Sequence, residues 1–228
     1  MSSDTVSSQS PDVSEQMQVR LDKRARIIAD GGQAYPVDLL RDHTLAQIRQ
    51  KYTDDLGELT LAPGEETTDE VTIGGRVVFV RNTGKLCFAS LQDGFTETSN
   101  GERLQVMLSK AEVGDEALAA WKSDVDLGDH VAVTGRVIRS RRGELSVMAT
   151  SWTLASKALR PLPVLHKDLS EEARVRRRYA DLVVRDESRQ MVRTRAIITR
   201  AVRHALDERG FLEIETPILQ LVHGGAAA

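Results

Sequence analysis

The chain has 228 residues, 40% apolar and 29% charged, with a formal net charge of −3. That length suits one or two domains and the balance is that of an ordinary soluble protein; no run reaches the roughly 18 apolar residues of a membrane helix. The single cysteine, Cys87, excludes an internal disulfide and a zinc–cysteine cluster, and the N-terminus lacks the basic-then-apolar order of a signal peptide, so the expected compartment is the cytoplasm.

Residues 1–13 are rich in Ser and Asp with little to bury, and are expected to be a disordered tail. From Ser14 the period is helical, with Met17, Leu21, Ala25 and Ile28 as the stripe and Gly31–Gly32 as the stop. A second short helix is expected from Thr44 to about Tyr52, within a helical segment covering 14–65. From Val71 the period changes to two. The runs VTIGGRVVFVRNTG, KLCFASLQDG, ERLQVMLS, DHVAVTGRVIRS and GELSVMATSWTLAS read as five strands separated by Gly, Asn and Asp. A helical insert, AEVGDEALAAWKSD, lies between the third and fourth. This is the order of an OB-fold barrel, expected over 66–156, with an SH3-like barrel as the alternative that spacing leaves open.

Pro161 and Pro163 mark a linker over 157–169. Asp168 and Glu171 have capping-box spacing ahead of the helix EEARVRRRYADLVV. A further helix is expected from about Glu187 to Arg209, with Asp186 as N-cap and Gly210 as stop. Its apolar stripe is Met191, Ile198, Val202, Ala205 and Leu206. FLEIETP then reads as a strand ended by Pro217. The fold class is α+β: an N-terminal helix and a five-stranded barrel, followed by a helix and a strand.

Strand alternation sorts the barrel side chains onto two faces. Cys87, Ala89 and Leu91 fall on one side with Leu104, Val106, Leu108, Leu145, Val147 and Ala149. Phe88, Gln105 and Glu144 fall on the other, with Arg81 at the end of the first strand and Arg139, Arg141 and Arg142 beside the last hairpin. An exposed aromatic, an amide, a carboxylate and an arginine fringe suit a reader of single-stranded bases. The ring stacks a base of any kind, and the polar groups select by its hydrogen-bonding edge. Glu144 can accept from the N3–H of uracil, and would meet a lone pair at N3 of cytosine. The plainer reading is a surface phenylalanine and a solvated turn glutamate. Arg174, Arg176, Arg177 and Arg178 could likewise contact phosphates, or form a solvated face with Glu171, Glu172 and Asp181.

Seven segments in order, YPVDLLRDHT, GKLCFASLQDG, GELSV, KALRPLP, RRRYADL, RGFLEIETPILQ and HGGAAA, resemble the bacterial-type class II lysyl-tRNA synthetases from about residue 14 onward. The resemblance implies that the barrel is an anticodon-binding domain reading a uridine-rich lysine anticodon. Phe88 stands at the family's stacking phenylalanine, and Arg81, Gln105 and Glu144 stand at its base-contacting positions. The stretch FTETSNGE is longer than the family's usual turn there. The helix from Glu187 and the FLEIETP run match the first class II motif, which implies a homodimer with Ile198, Val202 and Pro217 at its interface. Gly224 and Gly225 match a loop at the edge of the lysine pocket.

The same resemblance implies a chain that continues into a catalytic sheet, with 170–228 as its incomplete start. ATP and Mg2+ then belong to the full-length enzyme. No catalytic residue and no metal ligand is expected in this chain, which is expected to be inactive alone. Its expected partner is the anticodon of lysine tRNA, with no membrane contact. Two other readings remain open: a stand-alone OB-fold RNA-binding module without catalysis, and a dimerisation remnant. Ile198, Val202, Ile214 and Leu219 are expected to be exposed.

Overall fold

The computed structural model describes residues 14–96, 99–163 and 169–218. The tail at 1–13, Asp168, Leu219, Gly224 and Gly225 lie outside these residues.

Five strands, β1 (Glu66–Asn82), β2 (Leu86–Gln92), β3 (Arg103–Ser109), β4 (His130–Arg139) and β5 (Leu145–Ser156), close into a barrel in the order β1-β2-β3-β5-β4. β1 is 17 residues long and pairs with β4 along its first part and with β2 along its second. Arg76, at the changeover, faces both Gln92 and His130. A short parallel ladder between β3 and β5 completes the circuit. With the helices α3 (Lys110–Val113) and α4 (Asp115–Asp124) inserted between β3 and β4, this is the OB-fold of the two barrels considered.

Alternation along the strands fills the interior as expected. Cys87, Ala89, Leu91, Leu104, Val106, Leu108, Leu145, Val147 and Ala149 are all buried. α2 (Leu45–Lys51) adds Leu45 and Ile48 to the core, and α4 adds Leu118 and Trp121. A buried aliphatic side chain of this kind stabilises the fold by about 1.5–3 kcal/mol. α2 opens on a capping box between Thr44 and Gln47. β4 and β5 shift register at Thr134/Gly135, where a Cβ on Gly135 would lie 2.0 Å from the Met148 carbonyl oxygen. Only glycine lets the two backbones approach so closely.

The first helix, α1 (Glu15–Ala29), begins at the N-cap Ser14. It docks differently from its apolar stripe: Ala25 and Ile28 are exposed, while Arg20 is buried. The Arg20 guanidinium donates to the carbonyls of Ala158 and Leu127, both at 2.9 Å. Lys23 pairs with Asp126 at 2.7 Å and Arg26 pairs with Asp124. A helix held by long cationic side chains can bury their stems while satisfying their heads.

The same loop receives Lys157. Its side chain has no exposed surface, and its ammonium donates to the Asp124 carbonyl (2.5 Å), Asp126 (2.6 Å) and Asp129 (2.7 Å). Asp129 is also fully buried and accepts from the backbone N–H groups of Ala158 and Asp126, both at 2.8 Å. Burial pushes the Asp126 carboxyl upward, but hydrogen bonds from Lys157 and Lys23 outweigh it and hold the group below the usual aspartate range.

After the proline-rich segment, the expected single helix is two, α5 (Glu171–Arg176) and α6 (Arg178–Val184), broken at Arg177. The N-cap of α5 is Ser170, whose hydroxyl accepts from the Ala173 N–H. The break lets Asp181 turn inward, where it is buried and accepts from Ser188 (2.6 Å), Arg178 (2.6 Å) and Arg185 (3.4 Å). Asp186, expected as an N-cap, is the first residue of α7 (Asp186–Asp207), and the cap position is Arg185. Within α7, Arg189 is buried and donates to the carbonyls of Asn100, Leu182 and Val183 at 2.7, 2.8 and 3.0 Å, tying α6 and α7 to the loop before β3. FLEIETP, expected as a strand, forms no ladder. A strand needs a partner edge, and the barrel has closed its own.

His130 lines a cleft of about 480 Å3 between the barrel and α6–α7, beside Arg76. Burial, reinforced by the Arg76 charge, pushes its imidazole from 6.5 down to about 4.

Two outcomes are expected. Replacing Lys157 by Met strands the buried Asp129 carboxylate and should lower stability by about 3–5 kcal/mol, measured by urea unfolding; a change under about 1 kcal/mol would refute this account of the pair. His130 binds its proton at 6.5 in the unfolded chain and only near 4 in the folded one, so stability should fall as pH drops through that window. Allowing for its partial exposure, His130→Gln should remove about 1–2 kcal/mol of that loss. Identical pH profiles for the two proteins would contradict it.

Candidate nucleic-acid interface

The outward face of β1, β2, β3 and β5 forms two cross-strand rows. Pairing aligns Phe79 with Ser90, Ser90 with Gln105, and Gln105 with Ser146. Two residues along, Arg81 aligns with Phe88, Phe88 with Met107, and Met107 with Met148. All eight side chains stand on one face, because positions two apart on a strand point the same way. All but Ser146 line a groove of about 1000 Å3, closed at one end by the β4–β5 hairpin with Glu144. The four sequence-identified residues Phe88, Arg81, Gln105 and Glu144 therefore share one groove.

Each is positioned by a distinct local cause. Phe88 is half-buried on β2, with its ring side out because Cys87 and Ala89 occupy the core. Gln105 donates from its amide nitrogen to the Ser146 hydroxyl at 2.9 Å, and that hydroxyl donates to the Glu144 carbonyl at 3.0 Å. Ser146 is fully buried, so the amide and the turn carrying Glu144 are linked through a fixed, water-excluded hydroxyl. Glu144 itself is exposed. Its backbone is clamped by Ser140 in both directions, at 2.8 and 3.0 Å, and Gly143 supplies the φ of +91° that the turn requires.

The arginines divide into two kinds. Arg139 is structural: its guanidinium donates to the carbonyls of Gly143 (3.0 Å) and Leu61 (2.7 Å), fastening the hairpin to the segment before β1. Arg81, Arg141 and Arg142 are exposed. Six arginines line the groove against two glutamates, Glu66 and Glu144. A chain of net charge −3 thus concentrates positive charge where a phosphate backbone would run.

Sequence reasoning missed Phe79 and Arg49, and gave Ser146 and Arg103 no part in the site. Phe79 is 53% exposed. It reaches the groove because β1 carries an extra residue between Val77 and Phe79, and a bulge reverses the alternation. The adjacent buried pair Val77–Val78 records that reversal, but a run such as VVFV does not announce it. Only the parallel β3–β5 register reveals that Ser146 meets Gln105. Arg49 comes from α2 and donates to the Arg103 carbonyl at 2.6 Å.

The other sequence-identified residues lie elsewhere. Ile198 and Val202 on α7 are 59% and 55% exposed, and Pro217 is exposed beyond the helix. Gly224 and Gly225 fall outside the described residues. No described helix is long and apolar enough to cross a membrane.

Two family models match the chain: an OB-fold nucleic acid binding domain over residues 71–155, and the class II tRNA synthetases (D, K and N) over residues 170–228. A lysine–tRNA ligase of Kineococcus radiotolerans is 60% identical over 217 residues, covering 95% of this chain and 41% of that protein. The lysine–tRNA ligase of Mycolicibacterium gilvum is 58% identical over the same shares. A lysylphosphatidylglycerol biosynthesis bifunctional protein of Mycolicibacterium vanbaalenii is 38% identical over 100% of this chain and 19% of its own length. The chain thus spans about two-fifths of the length of the ligases it matches.

Proposed function

Since this chain belongs to the lysine–tRNA ligase family, we propose that it supplies the part of such an enzyme that reads the tRNA anticodon. The whole enzyme would join lysine to its tRNA in the cytoplasm, using ATP and Mg2+. The observation that carries the reading is the groove holding Phe88, Arg81, Gln105 and Glu144 together under a fringe of exposed arginines. In this reading Phe88 stacks the middle uridine of the anticodon. Glu144 accepts from its N3–H, while Gln105 and Arg81 donate to its carbonyls. The Ser146 bridge ties the Gln105 amide to the backbone of the turn that carries Glu144, so selectivity draws on a preorganised amide and turn rather than on closure around the base.

Among the described residues no group of three or more His, Cys, Asp or Glu side chains could hold a metal ion. These residues do not fit a magnesium site, and no step of the ATP chemistry is assigned to them. The higher identity to the ligases than to the lysylphosphatidylglycerol protein, 60% against 38%, favours tRNA over lipid as the setting.

The test is a titration at fixed salt of a lysine anticodon stem-loop against one with guanosine in place of the middle uridine, with Phe88→Ala alongside. The uridine loop should bind more tightly, and Phe88→Ala should weaken it roughly tenfold, within the usual range for one stacked base. Equal, salt-sensitive binding of both loops would reduce the groove to a charged surface and sink the reading.

The exposed apolar side of α7, with Ile198, Val202 and Pro217, is proposed to meet a second copy of the chain across a two-fold axis. Placing a charge there, as in Val202→Asp, should move the sedimenting species from dimer to monomer. A monomer at micromolar concentration without the substitution would count against the dimer.

A further inference from the structure

We infer that Phe79 is a second base-stacking platform, taking the nucleotide next to the one held by Phe88. The inference rests on the anticodon reading for the identity of its ligand, and on the barrel geometry for everything else.

Phe79 occupies the same outward face as Phe88, in the adjacent cross-strand row. Diagonal neighbours of this kind place their Cβ atoms about 7 Å apart. Phe79 shares its own row with Gln105, separated from it by Ser90 on β2, a span of two strand spacings or about 9–10 Å. A uracil stacked on Phe88, with its edge toward Gln105 and Glu144, extends toward β3 and β5. The Phe79 ring lies on the opposite side of β2 and remains open to a different base. The small Ser90 side chain between them raises no wall.

Three features make an accidental surface phenylalanine a poor description. The ring is 53% exposed inside a concave, arginine-lined groove, where a solvated apolar ring gains nothing unless it is covered. It stands there only because of the bulge at Val77–Phe79; in a regular strand Phe79, two positions on, would share the inward parity of Val77, which is fully buried. Arg81, two residues on and on the same face, pairs directly across from Phe88 and so stands beside both rings. Stacking does not choose among bases, so this platform should add affinity and order the strand without adding sequence preference.

The experiment uses the 228-residue chain and two lysine anticodon stem-loops. One carries the fluorescent base 2-aminopurine immediately 5′ of the middle uridine, the other immediately 3′. Stacking on an aromatic ring changes the emission of the probe. Binding should change it in one of the two loops. Phe79→Ala should abolish that change and weaken binding about tenfold, while Phe79→Tyr should retain both. Preference for uridine over guanosine at the middle position should survive Phe79→Ala. The inference is overturned if neither probe responds, or if Phe79→Ala leaves response and affinity within about twofold of the unaltered chain. Should the unaltered chain show no uridine preference while the probe response still depends on Phe79, the anticodon reading fails and the second platform stands.

Discussion

In a closed barrel every strand must pair on both sides, which asks most of a strand whose two neighbours lie along different halves of its length. β1 meets that demand with 17 residues divided between β2 and β4. The opposite seam is far smaller, only three parallel pairs between β3 and β5. Gly135 is part of the same solution, because the β4–β5 approach at Met148 leaves no room for a Cβ. Closure has a chemical result as well as a mechanical one. The seam sets Gln105 of β3 beside Ser146 of β5, so a polar link that orients a groove residue crosses the joint that completes the barrel.

α2 and α4 dock through apolar faces, but α1, the chain leaving β5 and the α6–α7 pair are attached by buried cations. Arg20 secures α1, Lys157 secures the chain leaving β5, and Arg189 secures α6 and α7. Each head group meets several oxygens with short, directed bonds. Taking such charges from water is costly, and full hydrogen bonding is what makes it tolerable. The gain is directional: a guanidinium on three carbonyls accepts one orientation of the attached helix, whereas an apolar stripe accepts many.

The barrel was legible because its signal is a simple period. Val71 onward alternates, glycines and polar residues separate the runs, and the helical insert stands where the fold demands it. Three of the groove residues, Phe88, Gln105 and Glu144, follow from that period, and Arg81 from its place at the strand end. What stayed hidden broke the rules on which periodicity depends. Phe79 lies beyond a bulge that reverses parity. Arg20, Lys157 and Arg189 are charged residues in the interior, which any hydropathy reading assigns to the surface. Ile28, counted into the α1 stripe, is 51% exposed because ion pairs and Arg20 set the roll of that helix. The division into α5 and α6 follows from the burial of Asp181 by Ser188 and two arginines, partners brought together only by tertiary structure. FLEIETP has strand composition, but composition supplies no neighbour to pair with.

Along β2 and β3 the residues of the core and those of the groove alternate one by one: Cys87, Ala89 and Leu91 inside, Phe88 and Ser90 outside; Leu104, Val106 and Leu108 inside, Gln105 and Met107 outside. Groove and core are therefore written in interleaved letters along the same two strands. An outward residue such as Phe88 or Met107 can be exchanged without altering the interior set. Equally, the interior can drift among aliphatic residues without changing the outward set. Ser146 is the exception, fully buried and yet bonded to Gln105 of the groove. It is the position where these two inheritances are bound together, and where change in either would be most constrained.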